Sequence, residues 1–283
     1  MSDYPDDASC LRTIVDLLYP DGITCPRCNK ITKHYPITGR KVYSCGTCGH
    51  HTSPLKGTIL EGTKIPLNKW FYAIFLMATN KAGTSAAQLQ RELGCKYDTA
   101  WRMLHQIRKL MEPPERQLEG EVQIDESFLH ANPFKRSSAK KRYTIDARRK
   151  GEVLFGMVEP KSGTVKVFHT KSAGVRVLTP LIRQHIKTGT LIHTDGFGAY
   201  RKLPVWGYEH RTTNHSIGEY YRADSNTQTI ENFWSTWKPR MKGTYKTVSK
   251  QHLQLYLDEY AWRYSNRNKP SMFWSLMCRI GED

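Results

Sequence analysis

The sequence contains no run of about eighteen apolar residues, which argues against a transmembrane helix. Its opening residues, MSDYPDDASC, are acidic and lack the basic-then-apolar order of an export signal. No internal repeat and no low-complexity tract is present. Acidic residues are scarce, 26 against 43 Lys and Arg, for a net charge of +17. The expectation is a soluble protein of the cytoplasm, nucleoid-associated if bacterial, with no membrane partner.

What remains is globular: 283 residues, 39% hydrophobic and 11% aromatic, enough for one large domain or two modest ones. Most of the positive excess lies after residue 120. Such a balance implies a polyanionic partner, because each Lys or Arg placed on a phosphate releases a condensed counterion. Double-stranded DNA is the expected partner once the motifs below are added.

Four of the seven cysteines form two C-x-x-C pairs, Cys25–Cys28 and Cys45–Cys48, with sixteen residues between them. Without an export signal, this reads as metal ligation rather than disulfides. Zinc takes four thiolates at the corners of a tetrahedron, and each C-x-x-C turn aims two sulfurs at one point. One structural Zn²⁺ is expected. The KHYP and KVYSC stretches would supply the strands of a ribbon, and Gly46 and Gly49 would allow a tight, often left-handed backbone after a ligand. His50 and His51 are expected to be exposed or to face DNA. Cys10, Cys95 and Cys278 are expected as buried or half-exposed thiols.

Residues 66–112 carry helical periodicity in LNKWFYAIFLMAT, SAAQLQRELG and YDTAWRMLHQIRKLM. Gly94 should close the second of these helices, and Asp98 or Thr99 should open the third. A helix, a short turn with glycine and a second helix resemble a helix-turn-helix. Lys96, Tyr97, Thr99 and Arg102 would then enter a major groove. Leu89, Leu93, Trp101, Leu104 and Ile107 would hold the two helices together.

After EPPERQLEG, with its two prolines and three glutamates, the pattern turns to short β-like runs and helices. EVQIDESFL, EVLFGMVEP, TVKVFHT and TLIHTDG read as strands, and RVLTPLIRQHI has helical spacing between the last two. From TQTIENFWSTWK onward the chain is helical; in its last helix Leu253, Tyr256, Leu257, Tyr260, Ala261 and Tyr264 share a face. This is an α/β domain around a mixed sheet.

Two aspartates are expected at the ends of apolar strands, Asp125 in VQIDES and Asp195 in LIHTDG, and Glu231 lies in a helix among aromatics. Metal-assisted phosphodiester chemistry needs carboxylates converging from separate elements, which two strands and a helix can deliver. Lys238 follows Glu231 by seven residues, so both project from one helix face, where a cation could hold a DNA phosphate. Glu126, beside Asp125, should point to the other face of its strand.

The motifs CPRC…YSCGTCGHHTSPLKGTI, QIDES, HTDGFGAY, NHSIGEY, TIENFWSTWK and YLDEYAWRYSNR together resemble an insertion-sequence transposase of the IS1595 type, also called ISXO2-like. The resemblance spans roughly residues 15–268, and the 35 residues between Asp195 and Glu231 match a D-D-(35)-E arrangement. It implies an N-terminal helical lead (1–21), a zinc ribbon (22–60), a helix-turn-helix-like DNA-binding region (61–112), a linker (113–120) and a ribonuclease-H-like catalytic domain (121–283). It implies that Asp125, Asp195 and Glu231 hold two Mg²⁺ or Mn²⁺ ions per active site, with Lys238 as the associated basic, DNA-contacting residue. His215 matches a family histidine that could touch DNA or orient a metal-site water, and Lys140, Lys141 and Arg142 sit in a basic stretch that would clamp phosphates. Where the family often reads H-T-N-T-I-E, this chain has Asn226-Thr227-Gln228-Thr229-Ile230-Glu231. The implied activity is DNA cleavage and strand transfer by a homodimer or higher oligomer on DNA. The alternative is a zinc-ribbon DNA-binding regulator that kept a transposase scaffold without its catalysis.

Overall fold

The computed structural model describes residues 3–129, 151–213 and 226–281. Lys140, Lys141, Arg142 and His215 lie outside the described residues. The chain divides into two compact units, one formed by residues 1–111 and 269–283, the other by residues 112–268.

The first unit opens with α1 (Asp7–Leu18), whose N-terminus is closed by a reciprocal cap. Asp6 Oδ1 accepts from the Ser9 N–H at 2.8 Å. Short strands follow: β1 (Thr24–Cys25) pairs with β2 (Lys30–Ile31), and β3 (His34–Pro36), β4 (Tyr43–Cys45) and β5 (His51–Thr52) form an antiparallel sheet. Next is α2 (Leu67–Thr79), where Pro66 holds the N-cap and Asp7 of α1 accepts the Leu67 N–H at 2.6 Å. A carboxylate from another helix thus satisfies a donor that a local cap would otherwise take.

Helix α3 (Ala86–Leu93) begins at Ser85, whose hydroxyl accepts the Gln88 N–H, and ends at Gly94 with φ +61°. Only glycine adopts that left-handed C-cap without cost, as the sequence anticipates. Helix α4 (Tyr97–Lys109) starts earlier than expected, with Lys96 as N-cap. Asp98 therefore sits in its first turn, where a negative charge suits the helix dipole. Leu89, Leu93, Leu104 and Ile107 are buried between the helices. Trp101 is only half-buried and stacks on His105 at 3.7 Å, so it is less central than the sequence suggests.

The last helix, α8 (Met272–Met277), packs on α2, with Phe273 edge-on to Phe71 at 6.2 Å. The sequence reading assigns this segment to the catalytic domain, but its apolar contacts place it in the first unit. Helical periodicity shows that a face is buried and says nothing about which neighbour buries it.

The second unit is built on a five-stranded sheet. Strands β6 (Glu121–Leu129), β7 (Glu152–Glu159) and β8 (Thr164–Thr170) form an antiparallel meander. Strands β9 (Leu191–Asp195) and β10 (Glu209–Thr213) join parallel to β6, giving the order β10-β9-β6-β7-β8. A three-stranded meander extended by two parallel strands is the ribonuclease-H-like arrangement. Helix α5 (Val175–His185) covers one face, while α6 (Gln228–Arg240) and α7 (Leu253–Asn266) cover the other. The interior strand β7 is buried almost throughout because both its faces are covered.

On the α6 side, Ile230, Phe233, Trp234 and Trp237 recur at helical spacing and meet Leu154, Val158, Val165 and Val167 of the sheet. Leu253, Tyr256, Leu257, Tyr260 and Ala261 of α7 complete this core, with Tyr264 packed at its margin, as their shared face requires. On the α5 side, Val122, Ile124, Phe155 and Met157 meet Leu178 and Ile182. The stretch 113–120, which reads as a linker, is docked on this unit. Leu118 is buried in the α5-side core, and Arg116 bonds Glu159 at 3.0 Å and Thr164 at 2.9 Å.

Candidate functional site

Two chemically distinct sites emerge, one in each unit. In the first unit, Cys25, Cys28, Cys45 and Cys48 bring their sulfurs within 4.8 Å of one another. Cys25 and Cys48 stand 3.7 Å apart and Cys28 and Cys45 3.9 Å apart. A tetrahedron with Zn–S bonds of about 2.3 Å has edges of about 3.8 Å, so these positions fit one zinc ion. The Cys28 N–H points to Cys25 Sγ and the Thr47 N–H to Cys45 Sγ, both at 3.4 Å. The Thr32 hydroxyl, 3.1 Å from Cys45 Sγ, leads the influences that lower that thiol to about 5, while Cys48, first among its neighbours, raises Cys28 to about 12. Zinc ligation requires all four as thiolates.

The two glycines here act differently from each other. Gly49 has φ +70°, the left-handed backbone expected of it. Gly46 does not; a Cβ there would lie 3.0 Å from both the Lys33 carbonyl and the Tyr35 ring, so close approach requires the glycine. His51 is exposed and His50 half-buried. Of the remaining cysteines, Cys10 is buried, Cys95 intermediate and Cys278 exposed.

Of the groove residues expected on α4, Lys96, Tyr97 and Arg102 are exposed and Thr99 half-buried. Thr99 and Arg102 line an open groove of about 440 Å³ with Glu61, Lys64 and Gln106.

In the second unit, Asp125 stands in the middle of β6 rather than at its end. The parallel ladder between β6 and β9 stops at Gln123 and His193, however, so the strands part just before the aspartates. Asp195 is the last residue of β9, and its Oδ1 accepts the Phe197 N–H at 3.1 Å. Glu231 lies in the first turn of α6, and Lys238 near its end is exposed.

The alternation of β6 turns Asp125 toward α6 and Glu126 toward the α5 side. Burial, reinforced by the charges of Asp195 and Glu231, pushes Asp125 up to about 7, while Lys238 pulls it back. These four side chains therefore share one electrostatic neighbourhood. Burial also pushes Glu126 up to about 8, and the Tyr200 hydroxyl donates to its Oε1. Among the described residues, only the cysteines close to within 4.8 Å as a ligand group. The three acids do not close to that distance. Hard carboxylate oxygens suit Mg²⁺ or Mn²⁺, and a buried carboxyl driven up by two neighbouring acids is relieved by a divalent cation.

Two known sequence families match this chain. Residues 117–265 match the ISXO2-like transposase domain, and residues 5–51 match the transposase zinc-ribbon domain.

The chain belongs to the ISXO2-like transposase family.

This transposase is 25% identical over 268 residues to a protein in transposable element ISH50 of Halobacterium salinarum, covering 91% of the chain and 90% of that relative. It is 33% identical over 103 residues to a transposase-like protein of Haemophilus influenzae, covering 36% of the chain and 80% of the relative. The catalytic core domain of BIV integrase aligns with a TM-score of 0.34 at 18% identity, over 54% of this chain and 86% of that one. No helix among the described residues of the transposase is long and apolar enough to cross a membrane.

Sequence reasoning missed three residues that build the site. Gly156 on β7 pairs in register with Asp125, and a Cβ there would meet Trp234 Cζ2 at 2.6 Å and Ile230 Cδ1 at 2.9 Å. Gln123 and His193 are buried polar residues on otherwise apolar strands. A polar residue two positions before each aspartate was a signal available in the sequence.

Proposed function

We propose that this DNA transposase cleaves element ends and joins them to target DNA at Asp125, Asp195 and Glu231. The observation that carries the reading is where the fold puts the three acids: Asp125 on β6 opposite Gly156, Asp195 at the end of the neighbouring β9, and Glu231 in the first turn of α6, which packs on that face of the sheet. In this reading the three carboxylates hold two Mg²⁺ or Mn²⁺ ions, which when bound supply Lewis acidity to the attacking and leaving oxygens of a phosphodiester.

The protein's own groups do the rest. Lys238, exposed on the same helix as Glu231, grips a phosphate beside the scissile bond. Water attacks that phosphorus and the bond to the 3′ oxygen breaks, freeing a 3′-OH. The hydroxyl then attacks a target phosphodiester in line, and one P–O bond forms as another breaks. No covalent protein–DNA link is needed, so no Ser or Tyr nucleophile is required. The zinc ribbon and the exposed Lys96, Tyr97 and Arg102 of the α3–α4 pair read the element ends. Joining two ends to one target calls for at least two copies of the chain on DNA.

The test is incubation of the full chain with end-bearing duplex DNA and Mg²⁺. The expected result is nicking at the end and joined products, both lost in Asp195→Asn while DNA binding persists. Binding without cleavage by the parental protein in Mg²⁺ and in Mn²⁺ would leave a DNA-binding regulator on a transposase scaffold. Cleavage without joining would leave a nuclease.

A further inference from the structure

Helix α6 carries the third acid, and its N-terminus is held by side chains from the two strands that carry the other acids. Gln123 on β6 and His193 on β9 are register partners, 1% and 3% exposed, and both face α6. Gln123 Oε1 accepts two backbone N–H groups of the first helical turn, from Thr229 at 2.9 Å and Ile230 at 3.1 Å. His193 Nδ1 accepts the N–H of Asn226 at 3.2 Å, which leaves its proton on Nε2, 3.3 Å from Glu121 Oε1. Between these anchors lies Thr227, the buried N-cap residue, whose hydroxyl donates to Glu231 Oε1 at 2.6 Å.

The start of a helix leaves N–H groups without intrahelical partners, and buried ones must be satisfied from outside. A serine or aspartate at the cap would satisfy such donors from within the helix's own segment. Here the acceptors come from the sheet itself. Each is two residues, one full pleat, ahead of an aspartate on the same face.

We infer that Gln123 and His193 are positioning residues, a clamp that fixes Glu231 against Asp125 and Asp195 and thereby sets the affinity of the acidic site for a divalent cation. The inference rests on the reading of Glu231 as the third acid. The sheet-borne acceptors fix where helix α6 begins, Thr227 turns the Glu231 carboxylate, and a shift of about 1 Å in the helix would separate a ligand from its partners. Partners of this kind, one step removed from a metal, change metal affinity by about 10- to 100-fold when mutated.

The test uses the full, zinc-loaded chain and Mn²⁺ alone as probe, with affinity read by titration calorimetry and folding by thermal melting. Gln123→Met fills the same volume without an acceptor, and His193→Phe removes the ring nitrogen. Each is expected to weaken Mn²⁺ binding about tenfold or more and to raise the Mg²⁺ needed for half-maximal cleavage in parallel. Gln123→Glu keeps the acceptor and is expected to bind Mn²⁺ at least as tightly as the parent. Parental Mn²⁺ affinity in a folded Gln123→Met would overturn the clamp. If Gln123→Met does not fold, His193→Phe decides, since it removes the other acceptor; parental affinity there overturns the inference equally. Glu231→Ala separates the two layers: unchanged Mn²⁺ affinity in that variant sinks the reading of the third acid itself, whatever the clamp variants do.

Discussion

Gly156 and Trp234 stand closer than any side chain at position 156 would permit. A methyl group there would lie 2.6 Å from the Trp234 ring, directly across the β6–β7 ladder from Asp125. The bare backbone at this point lets α6 settle onto the sheet and brings Glu231 near the strand acids. Gly156→Ala should lift the helix and cost about 1–3 kcal/mol, the usual range for overpacking a core. Thermal melting should show a lowered Tm, and cleavage should fall further than the loss of folded protein explains. An unchanged Tm would mean the helix yields freely and the close approach is incidental.

Loss of a zinc ligand should be confined to the first unit. In Cys25→Ser or Cys45→Ser the tetrahedron loses a thiolate, the zinc content should drop from one per chain toward none, and the ribbon should unfold. Binding to element ends should weaken while the second unit keeps its melting transition. Metal analysis that finds no zinc in parental protein purified without chelator would refute the site.

Lys238 separates phosphate positioning from metal binding. It is exposed and cannot ligate a cation, so Lys238→Ala should leave zinc content as it is and should not weaken Mn²⁺ binding, since the change removes a positive charge from the acids' neighbourhood. Cleavage should fall, with partial rescue at low salt, because one phosphate contact contributes about 0.9 to the slope of log K against log salt. Lys238→Arg should retain more activity, limited by the planar shape of its head group. Parental cleavage by Lys238→Ala at every salt concentration would make the residue an ordinary surface lysine.

Asp258 on α7 gives a pH dependence independent of any metal. Burial pushes its carboxyl from 3.8 up to about 7, with Glu112 adding to the rise and Gln254 opposing it. Its Oδ1 accepts from Gln254 Nε2 at 2.8 Å. A carboxyl that holds its proton more tightly when folded contributes stability that is complete below about pH 4 and lost as pH rises through about 7. Asp258→Asn keeps the acceptor and removes the charge. It should raise Tm by several degrees at pH 8 and by little or nothing at pH 4. A difference in Tm that does not vary with pH would contradict the buried, raised carboxyl.

Much of this protein could be read from its residues. Paired C-x-x-C motifs announce zinc because few other arrangements need two such turns at that separation, and the four sulfurs do converge. The strand at 121–129, the helix closed by Gly94 and the aromatic stripe of α6 follow from local periodicity and backbone preference, which act over neighbouring residues. Order along the chain sufficed for the family. Strand β10, with the polar sequence EHRTT, carries no such period, and it exists because β9 offers it a parallel edge. The assignment of α8 to the first unit and the docking of residues 113–120 likewise depend on neighbours remote in sequence. Tertiary structure alone decided that Gln123 and His193 cap the helix bearing Glu231 and that Gly156 must lack a side chain. Both are contacts between elements more than thirty residues apart. Local propensity is blind to these contacts, whereas close packing and the need to satisfy every buried N–H enforce them.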